Sequence, residues 1–160
     1  MKPYSAKILW RKQAAEAFVD GRYSRAHSWI FDGGIEIPAS ASPHVVPLPM
    51  STESAVDPEE AFIASLSSCH MLWFLSIAAG KKYAIESYED NAEGILEKDE
   101  EGNLAMTRVT LRPRVKFSRS MEESQIDELH ELAHEKCFLA RSVKTTIHIE
   151  QVKGTPKEEL

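Results

Sequence analysis

The longest hydrophobic stretch of the sequence is predicted to form one helix between Asp57 and Gly80. Phe62, Leu66, Cys69 and Trp73 recur at steps of four, three and four residues, so they share one face of that helix. From residue 71 onward apolar residues occur nearly all round the helix. The pattern therefore predicts a central helix that is buried between other layers.

Both ends of this helix carry recognisable signals. Asp57 is predicted to be the N-cap, Pro58 fits the first helical position, and Glu60 fits the reciprocal position of a capping box. Gly80 is predicted to mark the C-terminal end.

A second helix is predicted near the C-terminus, with Ser120 as its N-cap and Glu123 as the capping-box partner. Its apolar residues follow steps of three, four and four and end on the second cysteine. They are Ile126, Leu129, Ala133 and Cys137.

The remaining segments alternate polar and apolar residues, which indicates strands. They are residues 6–10, 23–31, 35–40, 83–95, 104–111, 114–117 and 144–152. Turns that contain glycine, at residues 32–34 and 100–103, predict two hairpins, and four prolines within residues 38–49 predict a loop over residues 39–57. Strands and helices that are segregated along the chain in this way predict an α+β fold with antiparallel sheets.

The composition changes this picture little. A chain of 160 residues predicts a single domain over residues 1–160, with a frayed tail at 154–160. A net charge of −6 without a basic stripe argues against nucleic-acid binding. The N-terminus has no secretion signal, and Met71–Ala79 is too short to span a bilayer, so we expect a cytoplasmic protein without a membrane partner.

The two cysteines are the main candidates for chemistry. A single buried cysteine is more often a small hydrophobic packing residue than a catalyst. Here, however, Cys69 and Cys137 both lie on the apolar stripe of their helices, and helices packed about 8–10 Å apart can bring such sulfurs within disulfide range. A reactive thiol needs a nearby positive charge or hydrogen-bond donor. The candidates are Arg22, Arg25, His27, His70 and His134.

The second helix also carries a possible metal-binding motif. His130, Glu131 and His134 satisfy the letters of the HExxH zinc motif on the second helix. Such a short match on a charged helix is more often a solvated face, and His70 and His134 are interpreted as boundary residues. We therefore expect no metal and no other cofactor.

Two segments of the sequence carry a resemblance to a known family. They are DPEEAFIASLSSC, which begins the long helix, and AHEKC, which ends the second helix at Cys137. Together with the order of strands and helices, these segments resemble the OsmC/Ohr family of thiol peroxidases over almost the whole chain.

The resemblance implies an intertwined homodimer with the OsmC-like fold and its sites at the dimer interface. It implies that Cys69 is the peroxidatic cysteine and that Cys137 resolves its sulfenic acid to a disulfide. It also implies that an arginine, Arg25 or in reserve Arg22, stabilises the thiolate and that Glu59 holds the arginine. An unbroken helix would separate Glu59 from Cys69 by about 15 Å, so Glu59 would act either across a helix break near residues 65–68 or through the arginine.

The implied function is the reduction of organic hydroperoxides in oxidative-stress defence, with a dithiol such as a lipoylated protein as the reductant. The predicted substrate pocket comprises Arg22, His27, Phe62, Trp73 and Phe138. Two alternatives stay open. One is a non-catalytic OsmC-like protein that binds a small apolar ligand in the dimer cleft, and the other is a zinc hydrolase that uses the HELAH helix.

Overall fold

The computed structural model describes residues 3–153, which form two compact units, one ending at Ala61 and one beginning at Phe62. The predicted tail at residues 154–160 lies outside the described residues, and the single domain stays a prediction. The elements are β1 (Ala6–Leu9), β2 (His27–Phe31), β3 (Glu36–Ala39), α1 (Pro58–Gly80), β4 (Ile85–Asp90), β5 (Glu93–Lys98), β6 (Leu104–Leu111), β7 (Pro113–Phe117), α2 (Glu123–Lys136), a 3-10 turn (Ala140–Ser142) and β8 (Thr146–Ile149).

The first unit contains a three-stranded antiparallel sheet with β2 in the centre. The predicted hairpin between β2 and β3 is confirmed, and Gly34 at its turn has a φ of 83°, which favours glycine. The predicted strand over residues 23–31 is too long, because β2 begins only at His27. Arg25 therefore precedes the strand, and its backbone N–H donates to the carbonyl of Met50 in the loop instead of to a sheet partner.

Helix α1 begins as the sequence predicts. The Glu60 N–H donates to the Asp57 carboxylate at 2.7 Å, and the Asp57 N–H donates to the Glu60 carboxylate at 3.3 Å, which completes the capping box. The helix ends at Gly80 as predicted, but Gly80 does not supply the left-handed residue of the C-terminal cap. Lys82, not Gly80, adopts the left-handed conformation, with a φ of 63°. The Lys82 and Tyr83 N–H groups donate to the carbonyls of Ala79 and Ala78, as in a Schellman motif.

The second unit contains two further sheets. Strands β4 and β7 pair antiparallel, and β5, β6 and β8 form a mixed sheet in which β8 runs parallel to β6. The single strand predicted over residues 83–95 is wrong, because Asn91 and Ala92 separate β4 from β5. The α+β prediction is confirmed, and the β6–β8 pair is the exception to its antiparallel sheets.

Helix α1 supplies residues to two hydrophobic clusters in the second unit. In one cluster Phe74 and Ala78 pack with residues of α2, and β4 and β7 add partly buried side chains. In the other cluster Leu66 packs against Val109 and Leu111 of β6. This explains the continuous hydrophobic pattern, because successive turns of α1 face different layers.

Helix α1 also has the length and apolar composition of a membrane span, with a hydropathy of 1.6 over its most apolar window. The prediction from Met71–Ala79 alone underestimated this stretch. A central core helix has the same composition, so the observation is weak evidence for a membrane.

The start of α2 differs from the prediction. Its N-cap is Glu122 and the capping-box partner is Gln125, so the proposed pair of Ser120 and Glu123 is wrong. The helix ends at Lys136, and Cys137 follows directly with extended backbone angles. The Cys137 N–H still donates to the carbonyls of Ala133 and His134, which fixes the cysteine against the last turn.

Candidate functional site

The structure brings the two cysteines together inside the second unit. Cys69 lies in the middle of α1, Cys137 follows the last residue of α2, and both are buried free thiols. The two side chains interact, because Cys69 is one of the causes of the raised pKa of the Cys137 thiol. The Ala140 N–H, at the start of the 3-10 turn, also donates to the Cys137 sulfur at 3.4 Å. The two sulfurs therefore form one chemical unit built by the two helices.

The surroundings of Cys137 keep its thiol protonated. Burial, and secondly the hydrogen bond with Cys69, raise the pKa of Cys137 to about 11, although the Ala140 N–H acts in the opposite direction. Cys137 is therefore a protonated thiol near neutral pH.

An open cavity of about 410 Å³ adjoins Cys69. Its walls combine apolar side chains with three hydroxyl groups on one face of α1. They are Ser65, Ser68, Leu72, Trp73, Ser76, Phe138 and Leu139. The cavity can therefore bring a molecule with an apolar body next to Cys69.

The predicted pocket residues divide into two groups. Trp73 and Phe138 line the cavity beside Cys69. Phe62 is not among its lining residues, because it packs against the buried cluster of Leu66, Val109 and Leu111.

The other predicted residues belong to the first unit, where their contacts are local. The Arg25 guanidinium donates to the carbonyls of Gly21 and Tyr23 and lies 3.6 Å from the centre of the Tyr23 ring. Arg22 is exposed and forms an ion pair with Asp20 at 2.7 Å. The roles of both arginines at Cys69 stay predictions.

His27 is also bound locally. Its Nδ1 lies 2.7 Å from the Arg25 carbonyl oxygen, and its Nε2 accepts a hydrogen bond from the Trp29 indole. Both ring nitrogens therefore have partners within the first unit, and a role for His27 in the pocket stays a prediction.

Glu59 lies in the first turn of α1 and has an unusual carboxylate. One of its oxygens is buried and, within residues 3–153, has no hydrogen-bond partner. The helix is unbroken from Pro58 to Gly80, so the proposed break near residues 65–68 is wrong. Glu59 can therefore serve the cysteine only through another group, as in the arginine alternative.

A pair of buried histidines, one of which follows Cys69 directly in the chain, was not predicted. His70 Nε2 on α1 and His130 Nδ1 on α2 are 3.0 Å apart, and the two ring planes are within 5° of parallel with centroids 5.3 Å apart, so the rings lie edge to edge. The interpretation of His70 as a boundary residue and of His130 as part of an outward helix face is wrong, because only 1% and 3% of their surfaces are exposed. Spacing could have shown this for His70, which lies four residues from both Leu66 and Phe74 on the buried face.

The HELAH motif is thus used for packing and for the histidine pair. His130 turns inward to His70, whereas Glu131 is exposed. Among the described residues, no group of three or more His, Cys, Asp or Glu side chains is arranged to hold a metal ion.

Taken together, the α+β fold and the paired buried thiols define a two-cysteine protein in which both sulfurs lie at the junction of two helices. Residues 51–152 match the family model described as OsmC-like protein, and the chain belongs to the OsmC family. The resemblance found in the sequence is therefore confirmed.

Solved structures agree with this assignment. An OsmC-like protein of unknown function from Vibrio cholerae is 55% identical, with a TM-score of 0.91 over 95% of this chain and 100% of that one. The organic hydroperoxide resistance protein OhrB of Bacillus subtilis is 20% identical, with a TM-score of 0.67 over 93% and 98% of the two chains. A Legionella pneumophila organic hydroperoxide resistance protein has 16% identity and a TM-score of 0.65 over 94% and 97%. No curated protein matches the sequence significantly.

Proposed function

We propose that this protein is a cysteine-based peroxidase that reduces organic hydroperoxides in oxidative-stress defence. The observation that carries the proposal is the pairing of Cys69 and Cys137 beside an open, largely apolar cavity. Two family members of similar fold are organic hydroperoxide resistance proteins, which adds support.

In the first step the Cys69 thiolate attacks the terminal oxygen of the hydroperoxide. The S–O bond forms, the O–O bond breaks, and the alkoxide takes up a proton and leaves as an alcohol. Cys69 is thereby oxidised to a sulfenic acid. The apolar walls contributed by Leu72, Trp73 and Phe138 favour an organic substituent on the peroxide over hydrogen peroxide itself.

In the second step the Cys137 sulfur attacks the Cys69 sulfur. The S–S bond forms, the S–O bond breaks, and the hydroxyl group leaves as water with the proton of Cys137. An external dithiol, such as a lipoylated protein, then reduces the disulfide and is itself oxidised to a disulfide. The interaction between the two thiols supports this sequence, because Cys69 and Cys137 are already neighbours before the peroxide reacts.

The proposal includes a cytoplasmic homodimer in which Arg25 pairs with the Cys69 thiolate and Glu59 holds the arginine. Two observations support the dimer. Only 28% of the most apolar window of α1 is buried within the described chain, and Leu72 beside the cavity is 62% exposed. A second copy of the chain would cover this face and supply further groups to the cavity.

The test adds one equivalent of peroxide to the fully reduced protein and follows free thiols and protein mass. Cumene hydroperoxide should remove both thiols and two hydrogen atoms, at a rate at least about tenfold above that with hydrogen peroxide. Thiols that survive stoichiometric peroxide would contradict the proposal and favour the non-catalytic ligand-binding alternative. Equal rates with both peroxides would contradict the substrate class alone.

A further inference from the structure

The second unit contains a polar groove of about 340 Å³ on the sheet of β5, β6 and β8, which the peroxidase proposal does not use. The groove lies on the face of the sheet turned away from α1, because the alternate residues Val109 and Leu111 of β6 pack against Leu66 of the helix. Small-molecule sites occupy about 300–1,000 Å³, so the groove is large enough for one. Its lining residues are Glu93, Ile95, Arg108, Thr110, Arg112, His148 and Glu150.

The strand register places these side chains in order along the groove. Thr110 lies in the middle, between Glu93 on β5 and His148 on β8. Arg108 and Arg112 lie two residues to either side of Thr110, so each arginine occupies one end of the groove. At about 3.4 Å per residue, Arg108 is therefore about 7 Å along the strands from the row that contains Glu93.

The two ends of the groove differ in charge. Arg112 is bound by two carboxylates, with Glu93 2.8 Å from its Nη1 and Glu150 3.3 Å from its Nε. Two carboxylates share one guanidinium there, which leaves one negative charge uncompensated. Arg108 at the other end is exposed, and within residues 3–153 its side chain has no ion-pair or hydrogen-bond partner. Glu97, the next carboxylate on β5, is not among the lining residues.

A ligand that complements both ends must carry one charge of each sign. A carboxylate can accept two parallel hydrogen bonds from the Arg108 guanidinium. An ammonium group can donate to Glu93 and Glu150, whose side chains are 58% and 62% exposed. Ile95 offers an apolar contact to the atoms that connect the two charged groups. An ion of either sign alone would satisfy one end and be repelled by the other.

We propose that this groove binds a small zwitterion whose carboxylate and ammonium groups lie about 7 Å apart, with the carboxylate on Arg108 and the ammonium group on Glu93 and Glu150. The exposed imidazole of His148, which lines the groove, can add a hydrogen bond to the ligand.

The experiment uses the full-length reduced protein, with 6-aminohexanoate as the probe. Hexanoate and hexylamine are the controls, because each keeps the chain and only one of the two charges. Imidazole signals of His148 report binding in the groove at fixed pH, and the indole N–H of Trp73 reports binding beside Cys69. The zwitterion should shift the His148 signals saturably and should bind at least about tenfold tighter than either control.

Variants of exposed side chains test the two ends separately. Arg108→Gln removes the free cation and should abolish the preference of the groove for 6-aminohexanoate over hexylamine. Arg11→Gln makes the same change of charge at an exposed residue of the first unit and should leave binding unchanged. Glu93→Gln removes the uncompensated negative charge, so hexanoate should then bind as tightly as the zwitterion.

Four results would each overturn the proposal. They are the absence of a saturable His148 shift, equal binding of the zwitterion and either control to the wild type, wild-type binding by Arg108→Gln, and a response of the Trp73 signal alone.

Discussion

Two buried side-chain pairs join α1 and α2, one made of two cysteines and the other of two histidines. Cys69 and His70 are consecutive on α1, and their partners Cys137 and His130 lie seven residues apart at the end of α2. Burial is the main cause of the pKa shift in both pairs. It raises the pKa of Cys137 to about 11 and lowers the pKa of His70 to about 3, because in each case the charged form is disfavoured.

The difference between the pairs lies in what each can do. The cysteine pair can form a covalent bond, and an open cavity gives reagents access to Cys69. The histidine pair can change only its hydrogen-bonding and protonation, and it packs against Phe74, whose ring centroid is 4.3 Å from that of His130. Burial of a titratable pair is therefore not sufficient to mark the reactive site, and access to the reacting atom separates the two.

The largest expected effect comes from breaking the cysteine pair in two ways. Cys69→Ser should lower steady-state hydroperoxide reduction by at least about a thousandfold, because it removes the nucleophile. Cys137→Ser should still react once, and mass spectrometry should show one added oxygen at Cys69 without a disulfide. If the two variants exchanged these behaviours, the assigned roles of the two cysteines would be reversed.

Acid should remove the contribution of the histidine pair to the stability of the fold. Each histidine has a folded pKa below its ordinary value of 6.5, at about 3 for His70 and about 4 for His130. The unfolded chain therefore binds more protons below pH 6.5, and the stability present above that pH is lost as the pH falls toward about 4.

We expect the free energy of unfolding to fall by about 6 kcal/mol between about pH 7 and pH 4 through this pair, about half of it from each histidine. The control is the double variant His70→Leu with His130→Leu, which keeps the carboxylates that also titrate in acid. Urea denaturation across this range should show a shallower loss in the control. Parallel pH profiles for the two proteins would show that the pair does not titrate on unfolding.

A smaller loss of folding stability is expected when one member of a pair is removed at neutral pH. His130→Leu leaves His70 Nε2 without its partner and should cost about 1–3 kcal/mol. The double variant with His70→Leu should recover part of that loss, because both polar groups are then absent. Cys137→Ala should cost less than His130→Leu through lost hydrogen bonding, since a thiol is a weak donor. Urea denaturation of the wild type, His70→Leu, His130→Leu, the double variant and Cys137→Ala measures this, and strictly additive histidine effects would contradict a coupled pair.

Features that depend on local signals could be predicted from the sequence. The capping box of Asp57 and Glu60 and the two hairpins follow from residues that are adjacent in the chain. The start of α2 shows the limit of such signals, because Glu122 with Gln125 forms the same kind of box two residues after the predicted one. The local rule favours the wrong box here, because serine is a preferred N-cap residue and glutamate is not.

Features that depend on distant contacts were harder to predict. The parallel pairing of β8 with β6 depends on where α2 returns the chain, and alternation within a strand does not encode direction. The contact between Cys69 and Cys137 was anticipated because both lie on apolar stripes. The same reasoning applied to His70 and His130 would have found the second pair, since His130 lies four residues from Ile126 and three from Ala133.

The end of α1 bears on how far the sequence is optimised for stability. Lys82 holds a left-handed backbone conformation that costs an L-residue about 1–2 kcal/mol and that glycine adopts without this steric cost. Gly80, two residues earlier, occupies the last helical position instead. The chain thus tolerates a lysine where glycine would cost less conformational energy, which is typical of proteins held above a stability threshold and not driven to an optimum. The C-terminal end of the central helix is therefore not optimised for stability.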